Sequence, residues 1–163
     1  MEFLDDQLMS SLYEKFLLNY FKKEHPYIKT HAPQIEWQID EGVDFLLPKM
    51  KTDVTLEYGS KILIMDAKFY THNTSENYGK SIHHTGNLYQ IFTYVKNEAE
   101  KQKNERKTVA GVLLYAKTDD DITAGDKTYS MSGNTIAIHS LDLNQNFSNI
   151  SEKLNAIADK FFS

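Results

Sequence analysis

The sequence has 163 residues, of which 40% are hydrophobic and 25% charged, with 7 glycines and 3 prolines. This is globular composition, enough for one core and unlike a disordered, collagenous or low-complexity chain. The absence of cysteine excludes disulfide scaffolds, thiol catalysis, iron–sulfur clusters and Cys-ligated zinc, and the net charge of −5 leans away from a protein that coats nucleic acid by bulk attraction.

The first residues, Met1 to Asp6, carry neither the basic nor the apolar region of a secretory signal. The longest strongly apolar run, Ile62 to Met65, is far shorter than a membrane span. A soluble cytoplasmic protein is the expectation, with no membrane partner. Along the chain, Leu8, Leu12, Phe16, Leu17, Tyr20 and Phe21 recur at helical spacing and predict a helix over 7–24, ended by Pro26. Residues 34–40 alternate as a strand. Two more strands, 52–58 and 61–69, flank Gly59-Ser60, and a loop with Asn73, Thr74, Ser75 and Asn77 follows. Residues 78–104 read as a helix whose apolar stripe is Leu88, Ile91, Phe92 and Val95. The unbroken apolar run 108–116 reads as a strand covered on both faces. A hairpin over 127–131 and 134–141 turns at Ser132-Gly133, and an amphipathic helix closes the chain over 147–162. The order α-β-β-β-α-β-β-β-α predicts an α/β fold, a mixed sheet flanked by helices, in a single domain spanning 1–163.

The hairpin carries the chemistry. With Gly59-Ser60 as a two-residue type II′ turn, Tyr58 pairs with Lys61 and Asp53 falls directly opposite Asp66. Their Cβ atoms would be ~5 Å apart on one face, and Lys68 projects from that same face two residues on. Two carboxylates at that distance repel by roughly 3 kcal/mol at an effective dielectric near 20. A divalent cation reverses the sign, and Mg²⁺ takes a few carboxylates from a protein and completes its octahedron with water and phosphate oxygens. Two further features stand out. Glu14 shares a helical face with Leu17, Leu18 and Phe21, where a carboxylate needs a partner. Gln90 and Tyr94 share one face of the second long helix.

In this order, Glu14, Asp53, Asp66-Ala67-Lys68 and Gln90-x-x-x-Tyr94 resemble the RecB-like branch of the PD-(D/E)xK nucleases. More closely, Leu12-Tyr13-Glu14-Lys15-Phe16, Leu47-Pro48-Lys49-Met50-Lys51-Thr52-Asp53, Leu63-Ile64-Met65-Asp66-Ala67-Lys68-Phe69-Tyr70 and Asn87-Leu88-Tyr89-Gln90 are similar to the nuclease half of McrC-type subunits of GTP-dependent, methylcytosine-directed restriction systems. The resemblance implies a restriction-endonuclease-like fold and Mg²⁺-dependent DNA cleavage, with Mn²⁺ able to substitute. Asp53, Asp66, the Ala67 carbonyl and Glu14 would hold the metal. Lys68 would orient the attacking water or stabilise the developing charge, Gln90 would position Lys68 or a phosphate, and Tyr94 would support that wall. It also implies DNA, an McrB-like AAA+ GTPase and a dimer or larger assembly as partners. A nuclease of the same superfamily in repair or another defence role, and a non-catalytic binding module of the same fold, are the competing readings.

Other signals carry less. Lys49, Lys51 and Lys80 lie near the motifs and read as plain surface before phosphate contacts. His83-His84 cannot share a metal from one helix, His25, His31 and His139 are isolated, and His72 follows the Lys68 strand. Asp119-Asp120-Asp121 lacks the spacing of an EF-hand. No Gly-rich phosphate loop is present, so the chain itself is not expected to bind GTP or ATP in that way.

Overall fold

In the computed structural model the described residues are 2–70, 76–117 and 125–163, with only the helical backbone described for 2–4 and 76–84. Asn73, Thr74, Ser75, His72 and the aspartates 119–121 lie outside them, as do the side chains of Lys80, His83 and His84. The elements run α1 (Glu2–Glu24), β1 (Lys29–His31), β2 (Gln34–Ile35), β3 (Met50–Lys51), β4 (Val54–Tyr58), β5 (Lys61–Lys68), α2 (Glu76–Lys101), a 3-10 turn (Lys103–Glu105), β6 (Thr108–Lys117), β7 (Lys127–Met131), β8 (Asn134–Asp142) and α3 (Phe147–Phe162).

One six-stranded mixed sheet, in the order β1-β4-β5-β6-β8-β7, forms the centre, and β2 and β3 make a separate two-stranded ribbon. β4 and β5 are antiparallel, whereas β6 is parallel to both β5 and β8. The parallel β5–β6 step requires a crossover, which α2 supplies. Strand alternation then sorts the core into two layers. Leu63, Met65 and Ala67 pack with Tyr13, Leu17 and Phe21 of α1 and Leu154 and Ala158 of α3. Ile62 and Ile64 pack on the other face with Ile91, Tyr94 and Val95 of α2. Helices therefore cover both faces, as the central apolar strand 108–116 implied. α2 packs tightly at Gly111, where a Cβ atom would lie 2.6 Å from Val95 Cγ2 and 2.7 Å from Ile91 Cγ1. Among the described residues no helix is long and apolar enough to cross a membrane.

Three departures from the sequence reading have local causes. The strand expected over 34–40 stops at Ile35, because side chains take over from a ladder: Trp37 Nε1 donates to the Pro48 carbonyl at 2.7 Å, and Asn97 Oδ1 accepts the Gln38 N–H at 2.9 Å. The strand expected over 52–58 is broken at Thr52-Asp53, where the Thr52 N–H turns away to the Pro33 carbonyl at 3.0 Å. The edge strand β1, paired with β4 from Lys29 opposite Glu57 to His31 opposite Thr55, is three residues long and too short for periodicity to reveal.

Candidate active site

The β4–β5 hairpin has the expected register: Tyr58 pairs with Lys61, and Val54 with Met65. Gly59 has φ +59 at the first turn position while Ser60 stays out of the left-handed region, the backbone of a type II′ turn. Continuing this register one step past the last ladder pair puts Asp53 opposite Asp66. β4 ends at Val54, so the Ala67 N–H lies beyond the ladder, and Asp53 Oδ2 accepts it at 2.8 Å. The break at Thr52 is itself pinned, since Thr55 Oγ1 donates to Thr52 Oγ1 at 2.9 Å and Thr52 Oγ1 donates to the Pro33 carbonyl at 3.3 Å. The backbone that presents Asp53 is thus held before any ligand arrives.

Asp66 is 3% exposed. Lys68 Nζ stands 3.0 Å from its Oδ2, yet that buried oxygen has no hydrogen bond of acceptable geometry. Lys68 Nζ donates instead to Gln90 Oε1 at 3.0 Å, and Gln90 Nε2 donates to the Tyr94 hydroxyl at 3.0 Å. Tyr94 thereby fixes the amide so that its carbonyl faces the ammonium. Burial acts to lower the Lys68 pKa, but the attraction of Asp66 outweighs it, and the ammonium is held above its usual range. Burial and then the Asp66 carboxylate push Asp53 up to about 8, against the opposing hydrogen bond from Ala67. Burial and the facing Asp66 thus act on Asp53 in the same direction.

Glu14 reaches this group from the opposite layer. α1 is fastened over the end of β5 and β6 by Ser10 Oγ donating to the Phe69 carbonyl at 3.3 Å and by the buried Tyr13 hydroxyl donating to the Leu114 carbonyl at 3.3 Å. Glu14, the next residue, is half-buried. Burial and then Asp66 raise its pKa, while Lys68 and Lys51 lower it. The structure thus gathers Glu14, Asp53, Asp66, Lys68, Gln90 and Tyr94 at one end of the sheet, between α1 and α2. A second polar rung was not anticipated: Asn87 Nδ2 donates to the Tyr70 and Tyr115 hydroxyls, both at 3.0 Å. Its signal was available, because Asn87 precedes Gln90 by three residues on α2 and Tyr115 is the strand partner of Lys68. Burial is the main cause that raises the Tyr115 phenol to about 12.

Among the described residues no three Asp, Glu, His or Cys side chains form a cluster at metal-binding spacing. Asp66 faces Lys68, and Asp53 is taken up by Ala67, so Glu14 does not close a three-acid cage. The donor set nevertheless fits a hard divalent cation: an oxygen ligand buried without a hydrogen bond and a second carboxylate opposite it.

The mixed sheet with helices on both faces and these acids at the end of its central hairpin define a restriction-endonuclease-like α/β domain. No family model matches the sequence. The chain is 32% identical over 162 residues to the Type IV methyl-directed restriction enzyme EcoKMcrBC of Escherichia coli K12, in an alignment covering 96% of the chain and 44% of that protein. The matched stretch is the C-terminal part of McrC, to which the chain is similar; it spans less than half the length of that curated relative.

Proposed function

We propose that the chain is a Mg²⁺-dependent DNA endonuclease domain, the cutting part of a McrBC-like methyl-directed restriction system. The observation that carries this reading is the buried, hydrogen-bond-free Asp66 Oδ2 opposite a carboxyl raised to about 8, with a lysine 3.0 Å away. Such a pairing is costly in a sheet that only has to fold.

Asp53 and Asp66 would hold the ion, with the Ala67 carbonyl, and Glu14 directly or through water. When bound, a divalent ion polarises a phosphoryl oxygen and lowers the pKa of its water toward neutrality. The chain supplies the rest. Ala67 N–H keeps Asp53 aimed, so little reorganisation precedes binding. Lys68 stays protonated at neutral pH and offers its hydrogens to the attacking water or to the phosphate oxygens that gain charge. Gln90 holds that ammonium at 3.0 Å from its carbonyl and is itself held by Tyr94, which restricts the lysine to one direction. An McrB-like AAA+ GTPase would provide the coupling to target recognition, and pairing of two such domains would cut both strands.

The test is cleavage of duplex DNA in Mg²⁺ or Mn²⁺, with and without an McrB-like GTPase. Wild type is expected to cut, and Asp66→Ala is expected to be inactive with an unchanged circular dichroism spectrum. Cleavage retained by Asp66→Ala would remove this mechanism. A folded wild type that binds DNA but never cuts it would instead identify a non-catalytic module.

A further inference from the structure

We infer that Lys51 is a DNA-contact residue, the side chain that grips a backbone phosphate beside the scissile one on the α1 side of the cleft. This inference rests on the nuclease reading above and adds the residue that makes the site electrically able to accept its substrate.

Among the described residues the ammonium groups of Lys68 and Lys51 both act on Glu14, and they differ in kind. Lys68 belongs to the α2 side, where it is largely enclosed and engaged with Asp66 and Gln90. Lys51 is exposed and enters none of the ion pairs found among the described residues. Its direction follows from the ribbon. Met50, paired with Ile35, is 3% exposed and packs into the layer under α2. On extended backbone its neighbour Lys51 must project the other way. Lys51 pairs with Gln34, and Thr52 is tied to Pro33 at 3.0 Å, so the lysine stands on fixed backbone two residues before Asp53. Its field reaches Glu14 from α1 and helps keep that carboxyl ionised. Among the described residues, Asp66 and Lys68 on β5 also act on Glu14, and Asp53 stands two residues from Lys51.

Charge balance then assigns the task. Once a divalent ion displaces the Asp53 proton, three carboxylates and Lys68 would leave two negative charges, which that ion would cancel. A phosphodiester entering this neutral site adds a further negative charge, and a nucleic-acid strand brings more phosphates on each side. Lys51, exposed and in none of the ion pairs found among the described residues, offsets that addition. An exposed lysine without an acidic partner has no ion pair to break before it meets a phosphate, and it releases one counterion in doing so.

The experiment compares wild type, Lys51→Gln, Lys51→Arg and Lys127→Gln, the last removing an exposed lysine from the far edge strand β7. Affinity for a fluorescent duplex is measured in Ca²⁺ over a range of salt, and single-turnover cleavage is measured in Mg²⁺. The expected result is a salt slope shallower by about 0.9 for Lys51→Gln, unchanged for Lys127→Gln and restored by Lys51→Arg. Cleavage by Lys51→Gln is expected to need more DNA for half-saturation and to keep its rate at saturation within about threefold. A salt slope equal to wild type overturns the inference, whatever cleavage does. A saturated cleavage rate that collapses with the slope unchanged also overturns it, because Lys51 would then act only through Glu14. A wild type that binds but does not cut, with the slope still shallower in Lys51→Gln, defeats the nuclease reading and upholds the contact. Failure of wild type to bind duplex at all overturns both.

Discussion

Replacing Asp53 by Asn should stabilise the metal-free protein while abolishing its proposed activity. Asparagine keeps an oxygen for the Ala67 N–H, which Asp53 Oδ2 accepts at 2.8 Å, and removes only the charge. Asp53 rises to about 8 from the ordinary 3.8, by burial and by Asp66, so the folded protein retains a proton that the unfolded chain releases. The stability that Asp53 contributes is therefore fully present below about pH 4, is lost as pH rises toward 8, and changes no further above. The pKa difference alone would set a ceiling of roughly 5–6 kcal/mol at 1.36 kcal/mol per unit. Repulsion between two charges ~5 Å apart at a dielectric near 20 gives roughly 3 kcal/mol, and screening at a partly exposed side chain brings the expected gain to about 1–3 kcal/mol. For a domain of this size each kcal/mol moves Tm by about 2–4 °C. Scanning calorimetry in EDTA should therefore find Asp53→Asn about 3–10 °C above wild type at pH 9, with the gap shrinking steadily toward pH 4. A gap independent of pH, or a mutant less stable at pH 9, would refute the claim that burial and Asp66 destabilise the charged form of Asp53 in the metal-free fold.

Three further outcomes follow from the same structure. Millimolar Mg²⁺ should raise the Tm of wild type more at pH 8 than at pH 6, because the ion competes with the Asp53 proton, and should leave Asp53→Asn nearly unmoved; equal shifts in both proteins would place the ion elsewhere. Lys68→Ala should lower the cleavage rate at least about 100-fold with little loss of DNA affinity, measured by single-turnover kinetics beside a binding titration; a loss of affinity alone would make Lys68 a binding group. Gly111→Ala should cost about 1–3 kcal/mol in urea denaturation, since the new methyl meets Val95 and Ile91 at 2.6 and 2.7 Å; an unchanged midpoint would mean that α2 can move aside.

What was legible in the sequence was whatever local rules determine. A Gly-Ser turn fixes hairpin register, and register alone placed Asp53 opposite Asp66. The amphipathic stripe of α3 gave its boundaries, because apolar spacing there agrees with burial at Ile150, Leu154, Ile157 and Ala158. The break at Thr52-Asp53 was not legible, since it depends on the Pro33 carbonyl, nineteen residues away in the chain and reached by a tertiary hydrogen bond. Likewise, the 34–40 segment alternates as a strand should, yet Asn97 on α2 claims the Gln38 N–H. Lys51 read as plain surface because a lone lysine in a polar stretch is ordinary; only the fold brings its charge to bear on Glu14. The His25 ring, 6% exposed and 2.8 Å from Asn155 Oδ1, is a buried link between α1 and α3 that no spacing announces.

The central claim is that Asp53 and Asp66 form the seat of a divalent ion. Crystals soaked in Mn²⁺, with anomalous data collected at the manganese edge, test it without reference to turnover. The account requires one strong peak bounded by the Asp53 and Asp66 carboxylates and the Ala67 carbonyl, lost in Asp66→Asn. A well-ordered site with no peak there at saturating Mn²⁺, or a peak that persists in Asp66→Asn, would contradict it.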